Sequence, residues 1–440
     1  MMGTQEKPKL NYRRTLLIGL GFFASSLLWS IYNSFVPLIL RDFVSSTATV
    51  GLIMTIDNVF GVILQPYFGA RSDQTRTRFG RRMPYVLFGA PICAALFILI
   101  PWMKALWMLM AVVILFNFIM SIWRAPMIAL MPDLTPDPLR SQANGLINLM
   151  GGLAAITAFL LGGQIAHSYG RGAVFLMGSL VMISAVVILY FTIKENQLNP
   201  RLLAGDQLAS DQLASDQLAA SEAGVRRPFG LGLAGFNKLP RAARRSLVFL
   251  LLAIFFWFAA LNAVETFFTS YATLELNQSE GQAAMLMAAF SLAFVAFALP
   301  SGIIADKLGR RRTILMGLLG LILVFVLLYF AKDLWTIRFL LGAGGFFWAL
   351  VNINALPMVL AMAGDHELGT FIGHYYFFSF SANIASPILY GLLRDVTGNF
   401  RSLFIYAPIA VALAFLAILQ VTHFDRGEHQ GETDGSESIP

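Results

Sequence analysis

Three ionisable side chains stand inside long apolar stretches of this 440-residue sequence: Asp57, Arg124 and Glu265. A charge at the centre of an apolar helix costs roughly 2.5–3.5 kcal/mol on insertion scales. Each of the three is therefore expected to face protein or water rather than lipid. A carboxylate in such surroundings binds its proton more tightly when desolvated and less tightly beside an arginine. One whose surroundings alternate between these conditions can load and release a proton or hold a cation. Asp57 and Glu265 are the residues for that chemistry, Asp57 foremost because it falls near the middle of its apolar run. Arg124 presents five donors in a planar fork that suits hydroxyl or carboxylate oxygens. The alternative for all three is a static ion pair that only locks the fold.

Helical spacing extends each of these positions into a polar stripe. Asp57, Gly61 and Gln65 share one face; so do Asn117, Ser121 and Arg124; Asn262, Glu265 and Thr269 align with Phe258 one turn earlier. Asn144 and Asn148 precede Gly152, and Ser26, Ser30 and Asn33 lie beside Trp29. The expected solute contacts are Arg124, Asn58, Asn117, Asn148, Asn262, Asn352, His374 and Trp29. For the amides and hydroxyls, ordinary helix–helix hydrogen bonding is the competing explanation. Flat aromatic surface, which together with such donors suits a sugar, is available from Trp29, Tyr32, Trp123, Trp257, Phe258, Trp348, Tyr375 and Tyr376, most of which are expected simply to pack.

The elements that must hold these residues follow from composition. Hydrophobic residues make up 57% of the chain and charged residues 12%, against roughly 25% charged in soluble domains. So few charges cannot wet a globular surface of this size, which points to lipid as the solvent. A span needs roughly 20 mostly apolar residues, and twelve stretches qualify: 15–40, 46–70, 84–102, 105–131, 142–166, 171–193, 246–273, 280–305, 313–331, 334–361, 368–393 and 401–424. With the N-terminus inside, the inner segments hold 23 Lys and Arg and the outer ones 6, which places both termini in the cytoplasm. The net charge of +7 follows from that loop bias and does not call for nucleic acid. The single cysteine, Cys93, cannot form an internal disulfide. The five histidines lack metal-site spacing; HELGTFIGH (366–374) is not HExxH. The basic N-terminus leads into an apolar run longer than a signal-peptide core, so a retained first span is expected. No GxSxG, HExxH or phosphate-binding loop is found, and neither enzymatic activity nor a cofactor is expected.

The two halves echo each other. GARSDQTRTRFGRR (69–82) closes the second span and GIIADKLGRRR (302–312) the eighth, with Gly69 and Gly302 233 positions apart, as are Asp73 and Asp306. APMIALMPD (125–133) is echoed by LPMVLAMAGD (356–365). Between the halves lies a polar stretch, 194–245, carrying the repeat DQLAS-DQLAS-DQLAA at 206–220, which reads as a low-complexity tether. Parallel repeats of this size suit two bundles that rock about a central site. Gly69, Asp73, Gly80, Arg81 and Arg82, with Gly302, Asp306, Gly309, Arg310 and Arg311, are the expected cytoplasmic gate: glycines for close helix approach, Asp for helix N-termini, arginines for that Asp and for helix C-termini.

These motifs resemble the signature loops of the major facilitator superfamily. QPYFGARSDQTRTRFGRRMPY (65–85) and RAPMIALMPDL (124–134) are similar to the sucrose transporters and the glycoside–cation symporters. The first signature is four residues longer between Asp73 and Gly80 than its counterpart. The carboxylate that plant sucrose transporters carry earlier on the fourth helix is missing from VVILFNFIMSIW (112–123), so a proton-carrying role has to lie elsewhere or be absent. The resemblance implies an all-α membrane protein of twelve transmembrane helices in two pseudo-symmetric six-helix bundles: 1–193 and 246–425, joined by a cytoplasmic linker at 194–245 and followed by a disordered tail at 426–440. It further implies a monomer in the plasma membrane, with proton- or sodium-coupled uptake of a sugar or glycoside. Drug or metabolite export by the same fold is the rival. Many proton-coupled exporters carry Gly-Pro on the fifth span, and NGLINLMGGLAAITAFLLGGQIA (144–166) has glycine pairs without proline. A non-transporting sensor of the same fold is a third reading.

Overall fold

The computed structural model describes residues 10–135, 139–195, 240–362 and 368–422. The 206–220 repeat, the 426–440 tail, His366, His423, His429 and the end of the second-half echo at 363–365 lie outside them.

Twelve helices are long and apolar enough to cross a membrane, and the chain is a multi-pass membrane protein. They are α1 (Tyr12–Arg41), α2 (Thr47–Gln74), α3 (Met83–Trp102), α4 (Leu106–Leu134), α5 (Gln142–Tyr169) and α6 (Arg171–Thr192). The second six are α7 (Arg241–Leu274), α8 (Glu280–Leu308), α9 (Arg310–Phe330), α10 (Leu334–Leu360), α11 (Phe371–Thr397) and α12 (Phe400–Leu419). Among the described residues there is no strand. The reason is elementary: without water to satisfy N–H and C=O groups, a lone segment must bond to itself, and only a helix does so. Several helices run past their apolar stretch. α7 starts five residues before 246 and α2 continues to Gln74, because helix length is limited by capping while apolar length follows hydrocarbon thickness. α12 stops short of 424, at Leu419.

Two compact units result. Of the described residues, the first takes in 10–43, 56–195 and 279–285, and the second 44–55, 240–278 and 286–422. In the first, α1 packs on α5 and α6, α3 on α4 and α6, and the later part of α2 on α4. In the second, α7 packs on α11 and α12, and α9 on α10 and α12. The repeat in the sequence is thus a repeat of packing. Each unit also holds the first turns of a helix that continues in the other. In the second unit, Asp395 of α11 accepts the Ser46 hydroxyl at 2.7 Å and the Thr47 and Ala48 N–H groups at 2.8 and 3.1 Å, capping α2. A Cβ on Gly51 would lie 2.2 Å from the Pro387 carbonyl oxygen, so the two helices meet there only because that position is glycine. In the first unit, Arg171 bridges Asp42 at 2.7 Å and Glu280 at 3.1 Å, and the His167 imidazole meets the Ser279 hydroxyl at 2.9 Å.

Candidate functional site

In the first unit the structure brings Asp57, Asn58, Arg124, Trp29 and Asn117 together. Thr55 separates the helical segments Thr47–Met54 and Ile56–Gln74, which puts Asp57 in the first turn of the second segment. An acidic side chain there meets the positive end of the helix dipole. Asp57 is buried, and its Oδ1 accepts the Asn58 backbone N–H at 2.6 Å and the Asn58 amide at 2.8 Å. Asp57 interacts electrostatically with both Arg124 on α4 and Tyr32 on α1. The Arg124 guanidinium lies 5.2 Å over the Trp29 ring, a cation–π contact that holds the fork flat. Trp29 stacks on Tyr32 at 5.6 Å, and Tyr32 on Phe116 at 5.5 Å. Asn117 donates to the Tyr32 hydroxyl at 3.1 Å and to the Val113 carbonyl at 3.0 Å. The result is a carboxylate, a guanidinium, amides and a half-buried indole face on three helices whose other side chains are mostly apolar. A polyhydroxylated or carboxylated solute could be gripped by the fork and the indole while Asp57 takes a proton or a cation.

The stripes separate into different environments in three dimensions. Asn148 and Asn144 on α5 are exposed. Ser121 donates to the Asn117 carbonyl at 2.9 Å, which is helix bonding of the ordinary kind. In the second unit, Glu265 is exposed, Asn262 is half-buried, and Thr269 on the same stripe is buried. Phe258 of α7 meets Trp348 of α10 edge-on at 5.7 Å and Tyr375 of α11 at 6.2 Å, and buried His374 meets Phe371 at 6.3 Å. Asn352, half-buried, lies on the same α10 as Trp348. Trp123 and Trp257 are fully buried packing residues; a Cβ on Gly89 would come within 2.7 Å of the Trp123 Cβ, which shows how closely α3 seats on it.

The first signature loop is a closed polar network. Arg82 is 4% exposed. Its guanidinium reaches Asp133 Oδ2 at 2.9 Å and the Gly69 carbonyl at 3.1 Å, and also binds Asp73 and the Ser72 hydroxyl. Arg81 reaches the other Asp133 oxygen at 2.9 Å. The backbone N–H groups of Arg81, Arg82 and Met83 donate to Glu195 at 3.0–3.2 Å, so this carboxylate caps α3. Gly80 has φ +113°, and a Cβ there would lie 2.2 Å from Glu195 Oε2; the position requires glycine on both counts. In the second loop, Arg310 donates to the Pro357 carbonyl at 3.3 Å, and Arg311 to the Ile418 and Leu419 carbonyls at 3.3 and 2.9 Å.

The sequence model of the Major Facilitator Superfamily matches residues 18–277 and 266–439. The chain belongs to this superfamily. Over 93% of its length this superfamily member is 22% identical to the multidrug resistance protein MdtG of Yersinia enterocolitica, covering 93% of that protein. It is 25% identical over 174 residues to a membrane-associated transporter protein of Homo sapiens, and 30% identical over 143 residues to an uncharacterised symporter of Synechocystis. The matched segments span 33% and 26% of those two proteins. Among solved structures, a POT family transporter in complex with a thioalcohol-conjugated peptide superposes with a TM-score of 0.70 at 10% identity, covering 93% of this chain and 97% of that one. A nucleoside transporter, NupG, superposes with a TM-score of 0.68 at 14% identity, covering 93% of this chain and all of that one. The fold is the all-α, twelve-helix fold of the superfamily.

Within this superfamily member, two participants escaped the sequence reading. Tyr32 figured there only as aromatic surface, yet its hydroxyl joins Asn117. Glu195 stands just past α6, in what reads as linker; its one signal is an isolated acid at the end of an apolar span, and nothing in the sequence pairs it with a loop more than a hundred residues earlier.

Proposed function

We propose that this transporter moves a small polar solute, a sugar or glycoside, coupled to protons or sodium by alternating access. The observation that carries the reading is the cluster of Asp57 with Arg124 and Trp29 inside the first unit. Asp57 and Glu265 serve as the coupling carboxylates, and Arg124, Asn58, Asn117, Asn148 and Trp29, with Asn262, Asn352 and His374 in the second unit, contact the solute. The signature loops act as the cytoplasmic gate, both termini lie in the cytoplasm, and the protein works as a monomer in the plasma membrane. The Synechocystis relative, an uncharacterised symporter, supports ion-coupled uptake.

The test is a thermal-shift screen of purified protein against sugars and glycosides, since a ligand that binds the folded state raises its melting temperature. Uptake into proteoliposomes under an imposed proton or sodium gradient follows. Asp57→Asn is expected to abolish accumulation while leaving binding. Accumulation that survives both Asp57→Asn and Glu265→Gln overturns the coupling assignment. Arg124→Lys is expected to weaken binding, because a point charge cannot replace the fork; unchanged affinity removes Arg124 from the site.

Export is the second reading, favoured by the match to MdtG across 93% of both chains. Opposite-facing vesicles separate the two: a solute driven out of the cytoplasmic compartment, with no gradient-driven uptake, replaces the first reading by the second.

A further inference from the structure

A cavity of about 380 Å³ lies in the first unit, beside the loop that joins α2 and α3 and the end of α6. Its mouth carries two exposed cations, Arg78 and Lys194. Its wall is apolar and aromatic, built by Phe79, Leu87, Tyr190 and Phe191. The aromatic part is ordered by its own contacts: the Arg78 guanidinium sits 4.7 Å over the Phe79 ring, Phe79 lies 6.2 Å from Tyr190, and Tyr190 meets Phe191 edge-on at 5.0 Å.

One carboxylate, Glu195, also lines the cavity. Its oxygens are taken up by the N–H groups of Arg81, Arg82 and Met83, so its charge is spent on the N-terminus of α3. Among the described residues that line the cavity, the two cations outnumber the one carboxylate. The wall continues onto an exposed apolar flank, where Phe191 is 71% exposed and Phe88, next to Leu87, is 67% exposed. Tyrosine at such a boundary is suited to headgroup depth.

We propose that this cavity is a binding site for an anionic phospholipid. The phosphate is held between Arg78 and Lys194, and an acyl chain lies along Leu87 and Phe191. A soluble anion would use the mouth alone and leave the aromatic wall unexplained. A zwitterionic lipid would bring a quaternary ammonium toward two cations, with no unspent carboxylate among the described residues that line the cavity to receive it. Basic pockets at the membrane boundary bind acidic headgroups on this principle. The site is separate from the Asp57 cluster and does not depend on which solute is carried.

The full-length protein is reconstituted in phosphatidylcholine nanodiscs containing a phosphatidylglycerol with a photoactivatable acyl chain, and labelled peptides are mapped by mass spectrometry. Label is expected in 79–88 and 190–195, reduced by unlabelled phosphatidylglycerol and unaffected by inorganic phosphate. Each cation near an anionic headgroup is worth about fivefold in association, so Arg78→Gln with Lys194→Gln should cut the labelling by about an order of magnitude or more. Arg78→Lys with Lys194→Arg should retain it. Equal labelling by a photoactivatable phosphatidylcholine, displacement by inorganic phosphate, or undiminished labelling of the folded double-glutamine variant overturns the proposal. If that variant does not elute as a folded protein, raised salt applied to the unaltered chain takes its place: labelling should fall as the headgroup attraction is screened, and salt-insensitive labelling overturns the assignment.

Discussion

The two signature loops share a motif and differ in what satisfies it. In the first, Arg82 is buried against two carboxylates, a hydroxyl and a carbonyl, and Glu195 closes the loop from the far side. In the second, Arg310 and Arg311 reach only carbonyl oxygens among the described residues, near the ends of α10 and α12, while Asp306 is exposed. The four extra residues between Asp73 and Gly80 leave a loop between α2 and α3, closed by the Thr77 hydroxyl donating to the Gly80 carbonyl at 2.7 Å; the short second copy passes directly from α8 to α9 through Gly309. One sequence pattern therefore gives a buried charge network in one half and helix C-terminal capping by arginine in the other. The motif specifies where charge goes, and the neighbours decide how much that charge matters.

The largest expected effect is at Arg82. Arg82→Ala leaves Asp133, Asp73 and Ser72 without their shared cation and should lower unfolding free energy by about 3–5 kcal/mol, the range for breaking a buried pair. Arg311→Ala should cost about 1 kcal/mol or less, as for an ordinary hydrogen bond with partial exposure. Denaturant unfolding in micelles measures both, and equal losses would erase the contrast. Next comes Gly80→Ala, which meets Glu195 and an unfavourable φ together and should cost roughly 2 kcal/mol or more. Gly309→Ala has φ +86° with open space around the new Cβ, so only the backbone term of roughly 1–2 kcal/mol applies. Glu195→Gln keeps one acceptor and loses the charge; about 1–2 kcal/mol should go, with faster amide exchange at Arg81–Met83 as the local readout.

The smallest effect is at the exposed cap of α10. Asp333 accepts the Thr336 N–H at 2.8 Å and the Thr336 hydroxyl at 3.0 Å, which together hold its carboxyl below its ordinary 3.8. A depressed folded value means that stabilisation is complete above about pH 4 and is lost as pH falls through the lowered value. Asp333→Ala should lower the unfolding midpoint slightly at neutral pH, with the difference from the unaltered chain vanishing as pH falls through the lowered value, as followed by unfolding midpoints across an acid series. A larger effect at pH 7 than that of Glu195→Gln would reverse the ordering of buried and exposed caps.

The path from sequence to site was uneven. The twelve spans were legible because apolar length is a one-dimensional quantity, and Gly69, Asp73 and Arg82 stood out by recurrence. The face shared by Asn117, Ser121 and Arg124 was legible, but not what each meets: Asn117 bonds to Tyr32, Ser121 to its own helix, and Arg124 lies over Trp29. Helical spacing fixes direction around one axis but not which neighbour lies there. Asn148 shows the same limit, since the stripe on α5 gives the side chain's direction and it is exposed, which does not say what it meets.

Composition and spacing alone determined that this is a chain of membrane helices with a duplicated plan, because the bilayer imposes length and self-satisfied backbone on any segment that crosses it. Tertiary structure decided that Asp57 shares a neighbourhood with Arg124, that Asp395 caps α2, and that Glu195 caps α3. Those pairings join residues separated by tens to hundreds of positions. They exist only once packing has set helices side by side, and no local periodicity encodes which helices those are.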